Sequence, residues 1–262
     1  MDTELLATQL PLMLEEWQQT TGWQPGATQL LQFQNFFDLV CLANKSLNLT
    51  RILEPVDFWE KHLWDSLQPV LTRPELQGVS KVIDLGTGGG FPGLPIAIAY
   101  PDWAVTVMDS TAKKISFIES GLATLELTNV KTVVDRTESL ARNPLHREAY
   151  QLATIRAVAE AAVCAEYAVP FLAIGGTAIL YRGRWSEEET VNLTSAVAQL
   201  GAKITEISAY TTPLSQGERH CIYIQKELPT STKFPRAVGT PSQKPLSQNT
   251  VTANIEAPIL PA

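Results

Sequence analysis

The chain has 262 residues, 45% of them hydrophobic, and a formal net charge of −7. This length and composition predict one folded α/β domain with additions, and the acidity argues against a simple nucleic-acid binder. A membrane span is not expected, because no window reaches about 18 consecutive apolar residues. The acidic start MDTELLATQL is unlike a signal peptide, so we expect a cytoplasmic protein.

The negative charge is concentrated at the start of the chain. Residues 1–80 hold 10 acidic and 4 basic residues, whereas residues 81–262 hold 17 and 16. The later part is therefore nearly neutral and is able to carry local basic patches.

The three cysteines, Cys41, Cys164 and Cys221, are far apart and form no C-x-x-C pair. This spacing indicates neither a disulfide framework nor a zinc site. We expect reduced, mostly buried thiols and no bound metal.

Apolar residues at helical spacing predict helices over 3–17, 25–43 and 54–71. A Gly-Trp-Gln-Pro-Gly break separates the first two, and a proline lies near the start of the third. We interpret residues 1–75 as a helical N-terminal cap.

From Lys81 onward, short β-branched runs alternate with helical segments, which is typical of a parallel sheet with crossover helices. Strands are predicted at 81–85, 104–109, 130–134, 150–155, 175–181, 203–210 and 218–225. Helices are predicted near 93–100, 111–125, 157–170 and 186–200. The last two strands have only a turn between them and should pair antiparallel. This is the plan of a class I, Rossmann-like methyltransferase sheet of about seven strands, which we assign to residues 76–228.

Residues 229–262 are rich in Pro, Ser, Thr and Gln. This composition predicts a partly disordered C-terminal tail, with disorder concentrated in residues 246–262.

The stretch VIDLGTGGGFPG over 82–93 decides between two cofactors. Residues 88–93 match G-x-G-x-x-G, but in a dinucleotide fold that fingerprint follows the strand almost directly. Here the strand runs straight into Gly86, so the register is wrong for NAD. Asp84 followed by Gly86, Gly88 and Gly90 instead favours S-adenosylmethionine, because glycines let the cofactor approach the backbone closely.

Two acidic residues follow later strands. Asp109 ends the predicted strand 104–109, where either cofactor would find a carboxylate for its ribose hydroxyls. Glu138 follows the next strand, at the position where methyltransferases contact the adenine ring. The second acid therefore favours S-adenosylmethionine over NAD.

Taken together, these motifs resemble the bacterial small-subunit ribosomal RNA guanine-N7 methyltransferases, also called RsmG or glucose-inhibited division protein B. The resemblance spans about residues 30–245 and rests on several quoted pieces. They are Asn48-Leu49-Thr50, His62-x-x-Asp65-Ser66-Leu67, the glycine loop through Phe91-Pro92-Gly93, Asp109-Ser110, Arg156-Ala157-Val158-Ala159, Glu218-Arg219-His220 and FPRAVGTPSQKPL.

The resemblance implies a set of site residues. Cofactor contacts fall on Gly86, Phe91, Asp109, Ser110, Thr111, Thr137, Glu138 and Arg156. Many members carry lysine before the glycine at position 183, where this chain has Arg182, and that change of donor geometry leaves a catalytic role for Arg182 open. Candidate RNA contacts are His62, Arg219, His220, Lys233 and Arg236.

We expect the site to contain few catalytic groups. Amino-group methyltransferases carry an Asn/Asp-Pro-Pro-Tyr-like loop where this chain has Arg156-Ala157-Val158-Ala159. Guanine N7 has a free lone pair and no proton, so positioning alone can supply most of the catalysis. Arg156 is the candidate for holding both the methionine carboxylate and the guanine.

We therefore expect a monomeric enzyme that uses S-adenosylmethionine to methylate guanine N7 in 16S ribosomal RNA or the small subunit. Two alternatives stay open at this point. One is a methyltransferase of a protein or small molecule, and the other is a non-enzymatic ribosome-assembly factor that retains the cofactor fold.

Overall fold

The computed structural model describes residues 9–246, and its N-terminal part is helical. The elements are α1 (Leu14–Thr21), α2 (Ala27–Leu47), α3 (Pro55–Phe58), a π-helical turn (Trp59–Trp64) and α4 (Asp65–Leu71). The last three form the continuous helix predicted over 54–71.

Of the helix predicted over 3–17, residues 14–17 are helical and residues 9–13 are not. Helix α1 begins at Leu14, because Met13 before it is left-handed, with φ 47°. Pro11 adds to the break, since proline disfavours helical backbone at the residue before it. Residues 3–8 of the prediction lie outside the described range.

A seven-stranded sheet forms the centre of the molecule, as predicted. Its strands are β1 (Lys81–Leu85), β2 (Ala104–Asp109), β3 (Val130–Val134), β4 (Tyr150–Arg156), β5 (Leu172–Arg182), β6 (Ala202–Thr211) and β7 (Glu218–Lys226). The order is β3-β2-β1-β4-β5-β7-β6. Strands β1–β5 are parallel, and β7 pairs antiparallel with both β5 and β6. This is the predicted class I methyltransferase topology.

The remaining helices connect or follow these strands. They are α5 (Gly93–Ala99), α6 (Ala112–Leu122), α7 (Thr137–Leu140), α8 (Ala161–Ala168), α9 (Glu187–Gln199) and α10 (Thr240–Gln243). Helix α8 begins four residues later than predicted, because Ala157 adopts a left-handed conformation with φ 56° and so cannot belong to a right-handed helix. Within residues 9–246, no helix is both long and apolar enough to cross a membrane.

The N-terminal helices share a hydrophobic core with the sheet. Phe36, Trp59 and Leu67 belong to the same buried apolar cluster as Ile96 of α5 and Val105 of β2. A second cluster covers the other face, between the sheet and α8 and α9. The domain boundary predicted at residue 75 therefore marks a change in the sequence pattern, whereas the hydrophobic core is continuous across it.

The C-terminal tail was predicted to be partly disordered, mainly in residues 246–262. Residues 229–246, hereafter the C-terminal segment, are packed against the domain, and residues 247–262 lie outside the described range. Phe234 and Leu246 are buried in the second apolar cluster. Arg236 forms an ion pair with the fully buried Glu166. Arg147 donates to the carbonyls of Thr230 and Phe234. These contacts supply the apolar burial and polar partners that composition alone does not reveal.

Candidate functional site

The glycine loop leaves the carboxyl end of β1 in a conformation that favours glycine. Gly86, Gly88 and Gly90 have φ values of 69°, 60° and 101°, which side-chain-bearing residues rarely adopt. Asp84 fixes the loop from below: its carboxylate accepts hydrogen bonds from Gly93 N–H and Thr154 Oγ1, both at 2.9 Å. Asp84 therefore supports the loop from inside the protein.

Asp109, at the end of β2, holds the loop from the side. Its carboxylate accepts hydrogen bonds from Gly88 N–H at 3.1 Å and Thr111 N–H at 2.8 Å. Lys114 Nζ lies 3.8 Å from the same carboxylate. Two neighbouring strand ends are thus joined through one acidic side chain.

A cavity of about 320 Å³ opens between these elements, and we call it the glycine-loop cavity. Six residues predicted to contact the cofactor line it, namely Gly86, Asp109, Ser110, Thr111, Thr137 and Glu138. Its other walls include Lys114, Arg136, Val158, Tyr167 and Ser242. The remaining predicted contacts, which are Asp84, Gly88, Gly90, Phe91 and Arg156, are not among its lining residues.

The cavity fits the expected cofactor, S-adenosylmethionine. A Cβ on residue 86 would lie 2.7 Å from Val158 Cγ2, so the narrow gap between the loop and the chain after β4 requires glycine. The Asp109 carboxylate lines the cavity, and carboxylate oxygens accept hydrogen bonds from ribose hydroxyls. These residues would hold the nucleoside.

Glu138 closes the far side of the glycine-loop cavity, and its side chain is only 1% exposed. It accepts hydrogen bonds from Gly239 N–H at 2.9 Å and from the Tyr167 hydroxyl at 3.3 Å. The C-terminal segment therefore takes part in building this cavity. Sequence reasoning missed Tyr167 and Ser242, because both come from elements whose packing no local pattern indicates.

A second, larger cavity of about 490 Å³ lies on the other side of the loop that follows β4. We call it the basic cavity, since its lining includes Lys61, Arg156, Arg182, Arg184 and Arg219. Ala157 lines both cavities. Its left-handed backbone turns the chain sharply at the point where the two cavities meet.

Arg156 connects β4 to the N-terminal helices. Its guanidinium donates to the Lys61 carbonyl at 3.1 Å and to His62 Nδ1 at 3.4 Å, and it lies 3.5 Å from the Asp65 carboxylate. It also lies over the Phe91 ring, 5.5 Å from the centroid. The structure thus places Arg156 in the basic cavity, beside the glycine loop.

His62 is a buried, neutral imidazole. Arginine can only donate, so Nδ1 accepts from Arg156 and the proton sits on Nε2, which donates to Thr50 Oγ1 at 2.7 Å. The ring stacks on Phe91 with the centroids 4.2 Å apart. Burial, together with the charge of Arg156, lowers the pKa of His62 to about 3.

Asp65 is shared between two arginines. Arg219 Nε lies 3.1 Å from one carboxylate oxygen, and Arg156 lies near the other. Burial raises the pKa of Asp65, whereas the charges of Arg156 and Arg219 oppose that shift. Arg182, across the basic cavity, donates to the Ala159 carbonyl at 2.7 Å and pairs with Glu189 at 3.3 Å.

Cys164 is poorly suited to act as a nucleophile. Cys164 is buried, and its thiol donates to the Ala159 carbonyl at 3.3 Å. Burial raises its pKa to about 11, so the reactive thiolate is scarce at neutral pH.

The candidate RNA contacts differ in their position relative to the basic cavity. Arg219 lines the basic cavity, while His220 contacts the Gly183 carbonyl at the edge of that cavity, and Lys233 lies over the Phe234 ring. His62 lines the basic cavity, with most of its ring buried against Phe91. The Arg236 guanidinium is held by both oxygens of Glu166 and is 25% exposed. RNA contacts by these two residues stay predictions.

Comparison with known proteins gives consistent matches. The sequence model of the family described as rRNA small subunit methyltransferase G matches residues 29–222. The ribosomal RNA small subunit methyltransferase G of Trichormus variabilis is 52% identical over 241 residues, which cover 90% of this chain and 98% of that protein. The protein of the same name from Nostoc punctiforme is 50% identical over 242 residues, with the same coverage of both chains.

Proposed function

The chain belongs to the rRNA small subunit methyltransferase G family, and from this premise we propose that it transfers a methyl group from S-adenosylmethionine to N7 of a guanine in 16S ribosomal RNA. The observation that carries this proposal is the meeting of two cavities at Ala157. One cavity has the glycine loop and carboxylates that suit a nucleoside cofactor. The other is lined by cations that suit RNA.

The residues of the glycine-loop cavity bind and orient the donor. When bound there, S-adenosylmethionine supplies a methyl group activated by a sulfonium. Asp109 accepts hydrogen bonds from ribose hydroxyls while it keeps the Gly88 and Thr111 amides in place. Gly86 and Val158 limit the width of the cavity next to Ala157. Orienting the donor in this way lowers the barrier to methyl transfer, because the entropy cost of aligning the reactants is met when they bind and not during the reaction.

The side chains around the basic cavity favour an acceptor that has no proton to lose. Within the described residues, His62 has a pKa of about 3 and its Nδ1 is occupied by Arg156, so it is a weak base. Asp65 is held between Arg156 and Arg219. Guanine N7 offers a lone pair without any deprotonation, and it therefore suits this site.

The charge of the basic cavity favours a polyanionic substrate. Arg156, Arg182, Arg184 and Arg219 line one opening, although the whole chain carries −7. Arginine hydrogen-bonds both phosphate oxygens and guanine O6. Because one chain lines both cavities, we propose that a monomer carries out the reaction. We also propose that the enzyme acts in the cytoplasm.

The experiment that tests this proposal uses labelled S-adenosylmethionine and ribosomal RNA from cells that lack the gene. Borohydride–aniline treatment then cleaves the RNA at N7-methylguanine. We expect label in small-subunit RNA and one new cut, both strongly reduced with Asp109→Asn when the cofactor concentration is near the wild-type dissociation constant. Label without a cut would exclude N7 as the acceptor. Label that appears in protein or small molecules would contradict RNA as the substrate. So would the absence of any incorporated label when cofactor binding is intact.

A further inference from the structure

Three polar groups form a chain of hydrogen bonds along one wall of the glycine-loop cavity. The Tyr167 hydroxyl lies 3.3 Å from Glu138 Oε1 and 2.9 Å from Ser242 Oγ. All three residues line the cavity. They come from α7, α8 and α10, so the third member is supplied by the C-terminal segment.

The carboxylate sets the direction of this chain. An ionised carboxylate only accepts hydrogen bonds, so the Tyr167 hydroxyl donates to Glu138. The Tyr167 oxygen then accepts from the Ser242 hydroxyl, whose single proton is used in that bond. Ser242 Oγ is therefore left as a hydrogen-bond acceptor in the cavity, and it suits a ligand group that donates a hydrogen bond.

The C-terminal segment is held firmly enough to fix the position of Ser242. Gly239 N–H donates to Glu138 Oε1 at 2.9 Å, three residues before Ser242. Arg236 binds Glu166 through its backbone N–H as well as its side chain. A hydroxyl presented from an anchored segment loses little conformational entropy when a ligand binds.

The sheet order indicates which part of the cofactor meets this wall. Ala157 follows β4, Asp109 ends β2, and Glu138 follows β3 at the edge of the sheet. If Asp109 holds the ribose and the methyl group points to Ala157, the base extends toward β3. The donor that adenine presents at its outer edge is the exocyclic amino group.

We propose that Ser242, oriented by Tyr167 and Glu138, accepts a hydrogen bond from the 6-amino group of the cofactor's adenine ring. The inference rests on the proposed function, since it requires S-adenosylmethionine in the glycine-loop cavity. Ser242 is then a residue that selects adenine over a 6-oxo purine, and Tyr167 is its positioning residue.

The test is calorimetric and needs no RNA. S-Adenosylhomocysteine and S-inosylhomocysteine, which differ in the 6-amino and 6-oxo groups, are titrated into the wild type, Ser242→Ala, Tyr167→Phe and the control Ser231→Ala. We expect the wild type and Ser231→Ala to bind the 6-amino ligand at least 10-fold more tightly. In Ser242→Ala and Tyr167→Phe this preference should fall below about 3-fold, and Ser242→Ala should melt as the wild type does.

Other outcomes separate this inference from the proposed function. A preference that is unchanged in Ser242→Ala, or equal losses for both ligands, would overturn the role of Ser242 while leaving the enzyme's function intact. A wild type that binds neither ligand would overturn the cofactor assignment and, with it, this inference.

Discussion

The guanidinium of Arg156 donates to the imidazole of His62 at 3.4 Å, joining the end of β4 to the N-terminal helices. The contact keeps the imidazole neutral, and it holds the arginine at the wall of the basic cavity. The helices predicted as a cap thus form part of the wall of the basic cavity.

His62 is expected to make stability depend on pH. Its folded pKa of about 3 lies below its ordinary value of 6.5, so between these pH values the unfolded chain binds a proton that the folded chain does not. This contribution to stability is complete above about pH 6.5 and is lost as the pH falls toward 3. His62→Gln should reduce the loss between pH 7 and pH 5 by up to about 2 kcal/mol in urea unfolding. His220→Gln is the control, and equal pH dependence in all three proteins would contradict the buried neutral state.

Arg156 is expected to matter more for turnover than for cofactor affinity. Its guanidinium lines the basic cavity and not the glycine-loop cavity. Arg156→Ala should lower the rate of RNA methylation at least about 10-fold, or roughly 1.4 kcal/mol of transition-state stabilisation. Binding of S-adenosylhomocysteine should change by less than about 3-fold. The exposed Arg51→Ala controls for the loss of one positive charge, and a large loss of cofactor affinity would instead place Arg156 against the methionine carboxylate.

Asp109 is expected to control cofactor affinity. Asp109→Asn removes a charged acceptor that also holds Gly88 N–H and Thr111 N–H. The loss should be about 1.5–3 kcal/mol, measured as weaker binding of S-adenosylhomocysteine by calorimetry. Asp102→Asn, on the exposed turn before β2, should bind as the wild type does. Unchanged affinity in Asp109→Asn would remove this carboxylate from the cofactor site.

Gly86 and Val158 should show coupled effects on stability. Gly86→Ala places a side chain at φ 69°, which costs about 1–2 kcal/mol, and brings the new methyl 2.7 Å from Val158 Cγ2. Adding Val158→Ala should recover the part of the loss that comes from the clash. Urea unfolding of the two single variants and the double variant measures this coupling. If the losses in free energy of unfolding of the two single variants simply add in the double variant, the clash between residue 86 and Val158 must be relieved in another way.

The ion pair between Arg236 and Glu166 should respond asymmetrically to mutation. Glu166 is fully buried, whereas the Arg236 side chain is 25% exposed. Arg236→Ala leaves a buried carboxylate without its charged partner and should cost about 3 kcal/mol or more. Glu166→Gln leaves a guanidinium that reaches water and should cost less. A loss below about 1 kcal/mol for Arg236→Ala would contradict close packing of the C-terminal segment.

The central sheet was predictable because its signals are local. Strands β1, β2 and β3 are short runs bounded by turn residues, and their predicted bounds match the structure, whereas β5 begins at Leu172, three residues before its predicted start. The glycine loop and Asp109 were predictable for the same reason. Their positions follow directly from where β1 and β2 end.

The features that were missed depend on contacts between distant residues. Glu166 meets Arg236 across 70 positions, and Tyr167 meets Ser242 across 75. A segment rich in proline and polar residues looks disordered by composition, since composition does not count the partners that the fold supplies. The late start of α8 was missed because the turn at Ala157 uses alanine where glycine would normally mark it.

The participation of Ser242 and Gly239 in the glycine-loop cavity has a consequence for synthesis. A ribosome makes the loop near residue 86 long before it makes the residues that close the opposite wall. A chain that ended between Lys226 and Gly239 would contain every strand of the sheet but would lack the Gly239 amide and the Ser242 hydroxyl that complete the cofactor cavity. We therefore expect a chain truncated before Gly239 to bind the cofactor more weakly than the full chain, even though its sheet is complete.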